Sequence, residues 1–579
     1  MKKSQHQEEK LTNGFIAPVV ATVVALLIVA ALIYFYESKR LETPTSPTVA
    51  NIPVTDQTQA VIDQNSGQAD TQQTPNTPPL PFYSGKQVYI FVDETTYDAL
   101  SDKVSRLASD IGNDLRVQVE VEHGAYSNPM SVRDILEQSY AQNKLAGSIL
   151  IGNIPTFHRS DGFYTDWFYA ALNDNCPLDV NGNFGTSLKC NSLDNYSRRD
   201  VFEGRITAPV SGQAGIAMIS SYLDKDHAFR QGTITFPQKM LLLPSVDILD
   251  TNNGKPSGTN PLAVNVASSI ASQSRYTPQN VDTIYDTNYV KQKQDYISDL
   301  TNNRYETAII DIHGSTDAQF PSQQYDTSEV TNTDITTAKP NVLYVALLSC
   351  DNGAFESSNY LAGEFLFSGD TLLVTANSAV TSISDLLEDP PIQPIFFQPL
   401  SFLNSSAPLG EMFIRDQSLF ATQIFGDPTL HMPGASKNPA QLQVTPNPID
   451  FSTVTSANQA VKTASLKNTG QSNLSILILP NWGFTVDNKP LSDYATSQGQ
   501  PQVLPGRDFQ GFFLDQTNGG FFKTITLIPG ESTTFSFEFS PSETKSGQVL
   551  PGTYTDDFML LTSDQRMPYV DIPVKAVVQ

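Results

Sequence analysis

Two apolar runs of strand length constrain this chain more than anything else in it. Ile309-Ile310-Asp311-Ile312 runs into His313-Gly314-Ser315, and Val342 through Leu348 runs into Ser349-Cys350-Asp351. A short continuous apolar run bounded by polar residues fits a strand buried on both faces, the environment of a parallel sheet. In open parallel sheets, chemistry gathers beyond the carboxyl ends of the strands. The two runs therefore bring an imidazole and a thiol, 37 positions apart in sequence, to one sheet edge. A histidine able to take a proton from a cysteine is the minimum for a thiol nucleophile. A buried cysteine and a loop histidine are each common alone. The matching strand-end positions favour reading them as a pair.

The surrounding pattern alternates strand and helix. Residues 88–92, 117–121, 147–151, 200–205, 240–243 and 371–375 read as strands. Residues 98–115, 132–145, 214–230, 262–274 and 290–300 carry apolar side chains at helical spacing. Such alternation predicts right-handed βαβ crossovers and a parallel α/β sheet over residues 86–434. From Pro439 the helical period vanishes. Short alternating strands at 464–470, 474–478, 534–541, 557–561 and 570–577, separated by Gly and Pro turns, predict an all-β immunoglobulin-like sandwich over 438–579.

Residues 15–36 contain no charge and would span about 33 Å as a helix, enough for a bilayer core. No small-residue cleavage site follows, so the segment reads as a single uncleaved transmembrane anchor. Lys2, Lys3 and Lys10 place residues 1–14 in the cytoplasm and the body of the chain outside it, as a single-pass protein of the cell membrane. Residues 37–85 read as a disordered Pro/Thr-rich linker, with too little apolar surface to fold.

The net charge of −25, from 35 basic and 60 acidic residues, argues against a nucleic-acid partner. Cys176 and Cys190 lie in a stretch rich in Asn, Asp and Gly. A disulfide between them would close a loop of about 15 residues and contribute roughly 3 kcal/mol. It would leave Cys350 as the single free thiol; three free thiols in a reducing space are the alternative. Asp179-Val180-Asn181-Gly182-Asn183, with Asp161 and Asp174 upstream, offers oxygen ligands at alternate positions around a Gly turn. That donor set suits a structural Ca²⁺, although Cys190 stands where the closing Glu of an EF-hand would be. A plain polar turn is the alternative.

In combination, these segments resemble the gingipain-type cysteine peptidases, a family with a caspase-like fold. The resemblance spans residues 86–434. Its motifs are His313-Gly314, Ser349-Cys350, Leu150-Ile151-Gly152-Asn153-Ile154-Pro155, the stretch 161–169 (DGFYTDWFY), Val201-Phe202-Glu203-Gly204-Arg205-Ile206, and Phe425-Gly426-Asp427-Pro428. It implies Cys350 as nucleophile, His313 as base and then acid, and the backbone N–H groups of Gly314 and Cys350 as oxyanion donors. Members that cut after Arg or Lys use an acidic pocket residue, for which Asp194, Asp200 and Asp317 are candidates by location. The segment between Tyr169 and Arg205 departs from the family's spacing. Related peptidases bind calcium, while the chemistry itself needs no cofactor. The C-terminal part looks like a choice-of-anchor or abnormal-spindle-like immunoglobulin module. The expected protein is a membrane-anchored, extracytoplasmic cysteine endopeptidase acting on protein or peptide substrates. A non-catalytic cell-surface binding or adhesion protein that keeps the fold is the alternative.

Overall fold

The computed structural model describes residues 83, 85–159, 162–172, 178–184, 199–244, 276–321, 327–380, 407–414, 421–434, 440–454, 460–480, 485–486, 489–490, 512–514, 524–539, 552–564 and 569–579. The expected anchor at 15–36, the linker up to residue 82, the helix at 262–274, and Asp161, Asp174, Cys176, Cys190 and Asp194 lie outside the described residues. Among the described residues, no helix is long and apolar enough to cross a membrane.

Ten strands form one sheet: β1 (Gln87–Asp93), β2 (Gln118–Gly124), β3 (Leu145–Ile151), β4 (Phe202–Ile206), β5 (Met240–Pro244), β6 (Val281–Thr283), β7 (Arg304–Asp311), β8 (Asn341–Leu347), β9 (Leu373–Asn377) and β10 (Thr422–Gly426). Their order is β2-β1-β3-β4-β10-β9-β8-β7-β5-β6. Strands β3, β4, β5 and β9 are buried along their whole length, as the continuous apolar runs require.

The sheet is not parallel throughout, which corrects the expectation from sequence. β2, β1, β3, β4 and β10 run one way. β9, β8, β7, β5 and β6 are parallel to one another. The two sets meet antiparallel where Thr375 faces Ile424 and Asn377 faces Thr422. The handedness rule for crossovers governs parallel neighbours only, so it places no limit on this junction. As a result, the carboxyl ends of β7, β8 and β9 share an edge with the amino ends of β4 and β10. Beside the junction, Gly204 lets β4 pack closely on the end of β10. A methyl group on Gly204 would lie 2.6 Å from the Gly426 carbonyl oxygen and 2.6 Å from Pro428 Cδ.

Local rules account for the helices that cover the sheet. Asp93, the last residue of β1, caps α1 (Glu94–Leu115) by accepting from the Thr96 N–H at 3.1 Å. Its other oxygen accepts from the Asn153 N–H at 2.9 Å, just beyond β3. Leu100, Val104, Leu107 and Ile111 of α1 join Val88, Ile90 and Val92 in the main core. Phe91 points the other way, into a second core with Val132 and Leu136 of α2 (Met130–Ala141). This is the period-2 alternation of a strand covered on both faces. α3 (Gly212–Arg230) packs on α1, and Lys103 and Arg106 both reach Asp224, at 2.6 and 2.7 Å. Ahead of β1, Tyr83 is buried against Phe202, and its hydroxyl donates to Glu411 at 2.6 Å.

Residues 440–579 form two further sheets around their own core. One holds Leu442–Thr445, Ala460–Asn468, Ser532–Phe539 and Phe512–Leu514 in that order. The other holds Ile449–Val454, Tyr569–Val578, Gly552–Thr562, Leu474–Pro480 and Thr524–Leu527. Phe535, Phe537 and Phe539 are buried at every second position. The Phe539 ring meets Phe451 at 5.9 Å and Tyr554 at 5.3 Å, which joins the two sheets face to face. The expected all-β two-sheet module is therefore present.

Candidate active site

His313 sits just past the carboxyl end of β7. His313 and Gly314 pair antiparallel with Phe320 and Gln319, and the Ser315 N–H closes the turn on the Ala318 carbonyl at 2.9 Å. The imidazole is thus carried on a tight hairpin at the sheet edge. Cys350 arrives from the neighbouring strand. β8 pairs with β7, and the Leu348 N–H donates to the Ile310 carbonyl at 2.9 Å, extending the ladder to the brink of the cysteine. Cys350 is partly buried. Asp351 follows in the left-handed region at φ 54°, a conformation that Asp tolerates better than most residues.

The two segments touch. A methyl group on Gly314 would lie 2.7 Å from the Cys350 carbonyl oxygen, 2.7 Å from Ser349 Cβ and 2.9 Å from Asn352 Nδ2. Only glycine leaves room for the cysteine loop so close to the hairpin. Side-chain amides bind the same two segments. Asn352 donates to the carbonyls of Ser315 at 2.5 Å and Ala318 at 3.0 Å. Gln319 donates to Asn352 Oδ1 at 3.1 Å and to Ser349 Oγ at 3.4 Å. These residues carried no signal in the sequence beyond an Asn-Gly pair two positions after the cysteine.

The neighbouring strand β9, together with the segment before α5 (Leu361–Ser368), holds the outgoing side of the cysteine loop. The Gly353 N–H donates to the Asn377 carbonyl at 2.8 Å, and Asn377 Nδ2 donates to the Ser349 carbonyl at 3.4 Å. Phe355 lies over the Arg205 guanidinium at 4.5 Å and meets the Tyr164 ring at 5.1 Å. Arg205 itself forms a two-point ion pair with Asp166, both fully buried. The stretch 161–169 and the Val201–Ile206 motif, both read from the sequence, therefore meet beneath the cysteine loop through Asp166 and Arg205. His158 Nε2 and Glu356 Oε1 are 2.9 Å apart at the surface above them.

Two carboxylates near the rim titrate abnormally. Burial raises the Asp351 carboxyl above the usual carboxylate range. Burial also pushes Glu203 up to about 8, against the pull of Arg199, which stands 3.8 Å away.

The remaining expected residues fall in different places. Asp317 is exposed at the tip of the His313 hairpin, where it accepts from Ser315 Oγ at 3.2 Å. Asp200 is held in the fold, accepting from the Leu172 N–H at 2.7 Å and the Tyr140 hydroxyl at 3.3 Å. Asp179 closes a turn on itself. Its carboxylate accepts from Asn183 Nδ2 at 2.8 Å and from the N–H groups of Asn181 and Asn183 at 2.8 and 2.9 Å. Those bonds hold its carboxyl below the usual range. Among the described residues, no group of three or more His, Cys, Asp or Glu side chains could hold a metal ion.

No protein-family model matches the chain, and no curated protein matches it. Solved structures similar to it include the PapD-like domain 7 of human CEP192, at 12% identity and a TM-score of 0.17, over 26% of this chain and 93% of that one. A Porphyromonas gingivalis protein of unknown function is similar at 12% identity and a TM-score of 0.16, over 27% of this chain and 55% of that one. A β-glucosidase from Erythrobacter marinus is similar at 10% identity and a TM-score of 0.21, over 63% and 52%. Likenesses of this size carry no fold assignment. The architecture stands on the strand pairing itself.

Proposed function

We propose that the α/β region is a caspase-like cysteine endopeptidase of gingipain type that hydrolyses peptide bonds with Cys350 and His313. The all-β region would be an immunoglobulin-like accessory module, and residues 15–36 would anchor the chain with its catalytic region outside the cytoplasm. The observation that carries the reading is the backbone contact between His313-Gly314 and Ser349-Cys350 at one sheet edge. Two strand ends that merely happened to be neighbours would not require glycine at the point of contact.

The chemistry balances with these groups alone. Cys350 Sγ attacks the scissile carbonyl carbon, and its proton passes to His313. A C–S bond forms and the carbonyl oxygen takes up charge near the Gly314 and Cys350 N–H groups. His313 then delivers the proton to the amine nitrogen as the C–N bond breaks. Water, deprotonated by His313, hydrolyses the thioester, releases the acid and restores the thiol.

The test is hydrolysis of a mixed fluorogenic peptide library by the purified chain, with and without a thiol alkylator, beside Cys350→Ala and His313→Ala. The expected result is cleavage that alkylation and either substitution abolish. Cleavage that persists in Cys350→Ala, or none from the wild type in reducing buffer with calcium, would end this reading. The second outcome would leave the non-catalytic binding protein.

A further inference from the structure

Catalysis by a Cys–His pair needs the two side chains held in fixed relation, yet here they stand on separate loops beyond separate strands. The backbone pairing between their two strands stops short of both: β8 ends at Leu347 and β7 at Asp311, and the Leu348 N–H to the Ile310 carbonyl continues it by one bond. What crosses the gap is side-chain amide. We propose that Asn352 and Gln319 are positioning residues that fix the His313 hairpin against the Cys350 loop. This inference rests on the peptidase reading above.

Both side chains are fully buried, so every bond they make must be supplied by protein. Asn352, two residues past the nucleophile, spends both amide hydrogens on the His313 hairpin, at the Ser315 and Ala318 carbonyls. Those two carbonyls bracket the turn that carries the imidazole. Gln319 stands opposite Gly314 on the hairpin's return strand. It spends its amide hydrogens in the reverse direction, on Asn352 Oδ1 and Ser349 Oγ. Its own oxygen accepts at 3.3 Å from the hydroxyl of Tyr296, a fully buried residue of α4 (Tyr289–Asn302).

The set is closed and directional. Each amide has both donors and its acceptor engaged, and neither can flip without exchanging donors for acceptors at three places. The Asn352 carbonyl also accepts from the Ala362 N–H at 3.0 Å, which fixes the loop to α5. The hairpin is therefore registered to the nucleophile's loop by two amides and to the scaffold by a tyrosine. A pair built this way loses alignment when an amide is removed, while the β ladders on either side stay intact.

The experiment compares wild type, Asn352→Ala and Gln319→Glu on one cleavable peptide, measuring kcat and KM separately. The Gln319→Glu comparison is repeated from pH 5 to pH 8 as a ratio to wild type at each pH. A misplacement of about 1 Å is worth on the order of 10²-fold in rate. Asn352→Ala is expected to lower kcat about 100-fold with KM within about threefold. Glu at 319 can donate only while protonated, so its kcat ratio is expected to climb as pH falls. A purely structural amide gives no such trend. The near-isosteric Gln319→Glu also keeps the test alive if Asn352→Ala does not fold. A kcat within about threefold of wild type in a folded Asn352→Ala, or a flat Gln319→Glu ratio, overturns the positioning role while leaving the peptidase reading in place. A wild-type enzyme no more active than Cys350→Ala overturns both.

Discussion

Gly314→Ala tests the meeting of the two reactive loops with the smallest possible perturbation. The added methyl carbon would sit 2.7 Å from the Cys350 carbonyl oxygen and from Ser349 Cβ, where ordinary contact begins at 3.4 Å. One loop must therefore retreat by about 0.7 Å, the difference between those two distances. Neither close atom is the free end of a flexible chain. Asn352 Nδ2, the third close atom, is itself held by two carbonyls. Gly314 is not in the left-handed region, so alanine costs nothing in backbone strain and the effect is purely one of space. With about 10²-fold lost per ångström, this retreat should cost between about 10- and 100-fold in kcat, or roughly 1.4–2.7 kcal/mol of barrier. The assay is steady-state peptide hydrolysis with a melting curve for each variant. Gly124→Ala is the control, since a methyl there meets nothing within 4 Å. A Gly314→Ala enzyme with wild-type kcat and an unchanged melting curve would refute the claimed proximity.

Two further outcomes concern stability. Glu203 titrates near 8 in the folded chain against an ordinary 4.5, so between those values the folded state keeps a proton that the unfolded state has released. Stability should therefore fall as pH rises from about 5 to 8, and Glu203→Gln should flatten that slope by of order 1 kcal/mol per pH unit; urea titrations at three pH values, with parallel slopes for both proteins, would disprove it. Arg230 contacts Asp226 at 2.9 Å, Asp427 at 2.5 Å and Asp114 at 3.0 Å, and the first two of these carboxylates are fully buried. Arg230→Met should cost about 3–5 kcal/mol by stranding them, and a loss under about 1 kcal/mol in denaturant unfolding would show the pairs to be dispensable.

Much of the architecture could be read from residue order, and the exceptions have physical causes. β8 is plain because Val342–Leu348 is an unbroken apolar run, and β7 because Ala308-Ile309-Ile310 runs apolar into Asp311. The helical spacing of Leu100, Val104, Leu107 and Ile111 is equally direct. The reversal between β9 and β10 was hidden, because a fully buried strand has no polarity in its side-chain pattern: Leu373–Asn377 looks the same whichever way its neighbour runs. That the His313-Gly314 hairpin and the Ser349-Cys350 loop lie against each other is legible from two neighbouring strand ends and needs no knowledge of that reversal. Asn352 and Gln319 were invisible for the opposite reason. A buried amide has no periodicity or spacing of its own, and its importance lies wholly in which carbonyls the fold brings within reach. Arg205 and Asp166 are visible in the sequence only as letters of two motifs, and their pairing beneath Phe355 exists only in three dimensions.

The opposed halves of the large sheet also decide which stretches of chain can reach the sulfur. Segments leaving β7, β8 and β9 share their edge with segments about to enter β4 and β10. Arg199 at that edge already donates to the Thr422 carbonyl at 2.8 Å, and Thr422 in turn bonds Asn377 at 3.1 Å, one step from Ser349. Insertions ahead of β4 or β10 can therefore reshape the approach to the thiol while the strands that carry it stay untouched. Were every strand to run the same way, those insertions would emerge at the opposite edge, the five-residue length of β4 or β10 away from the thiol.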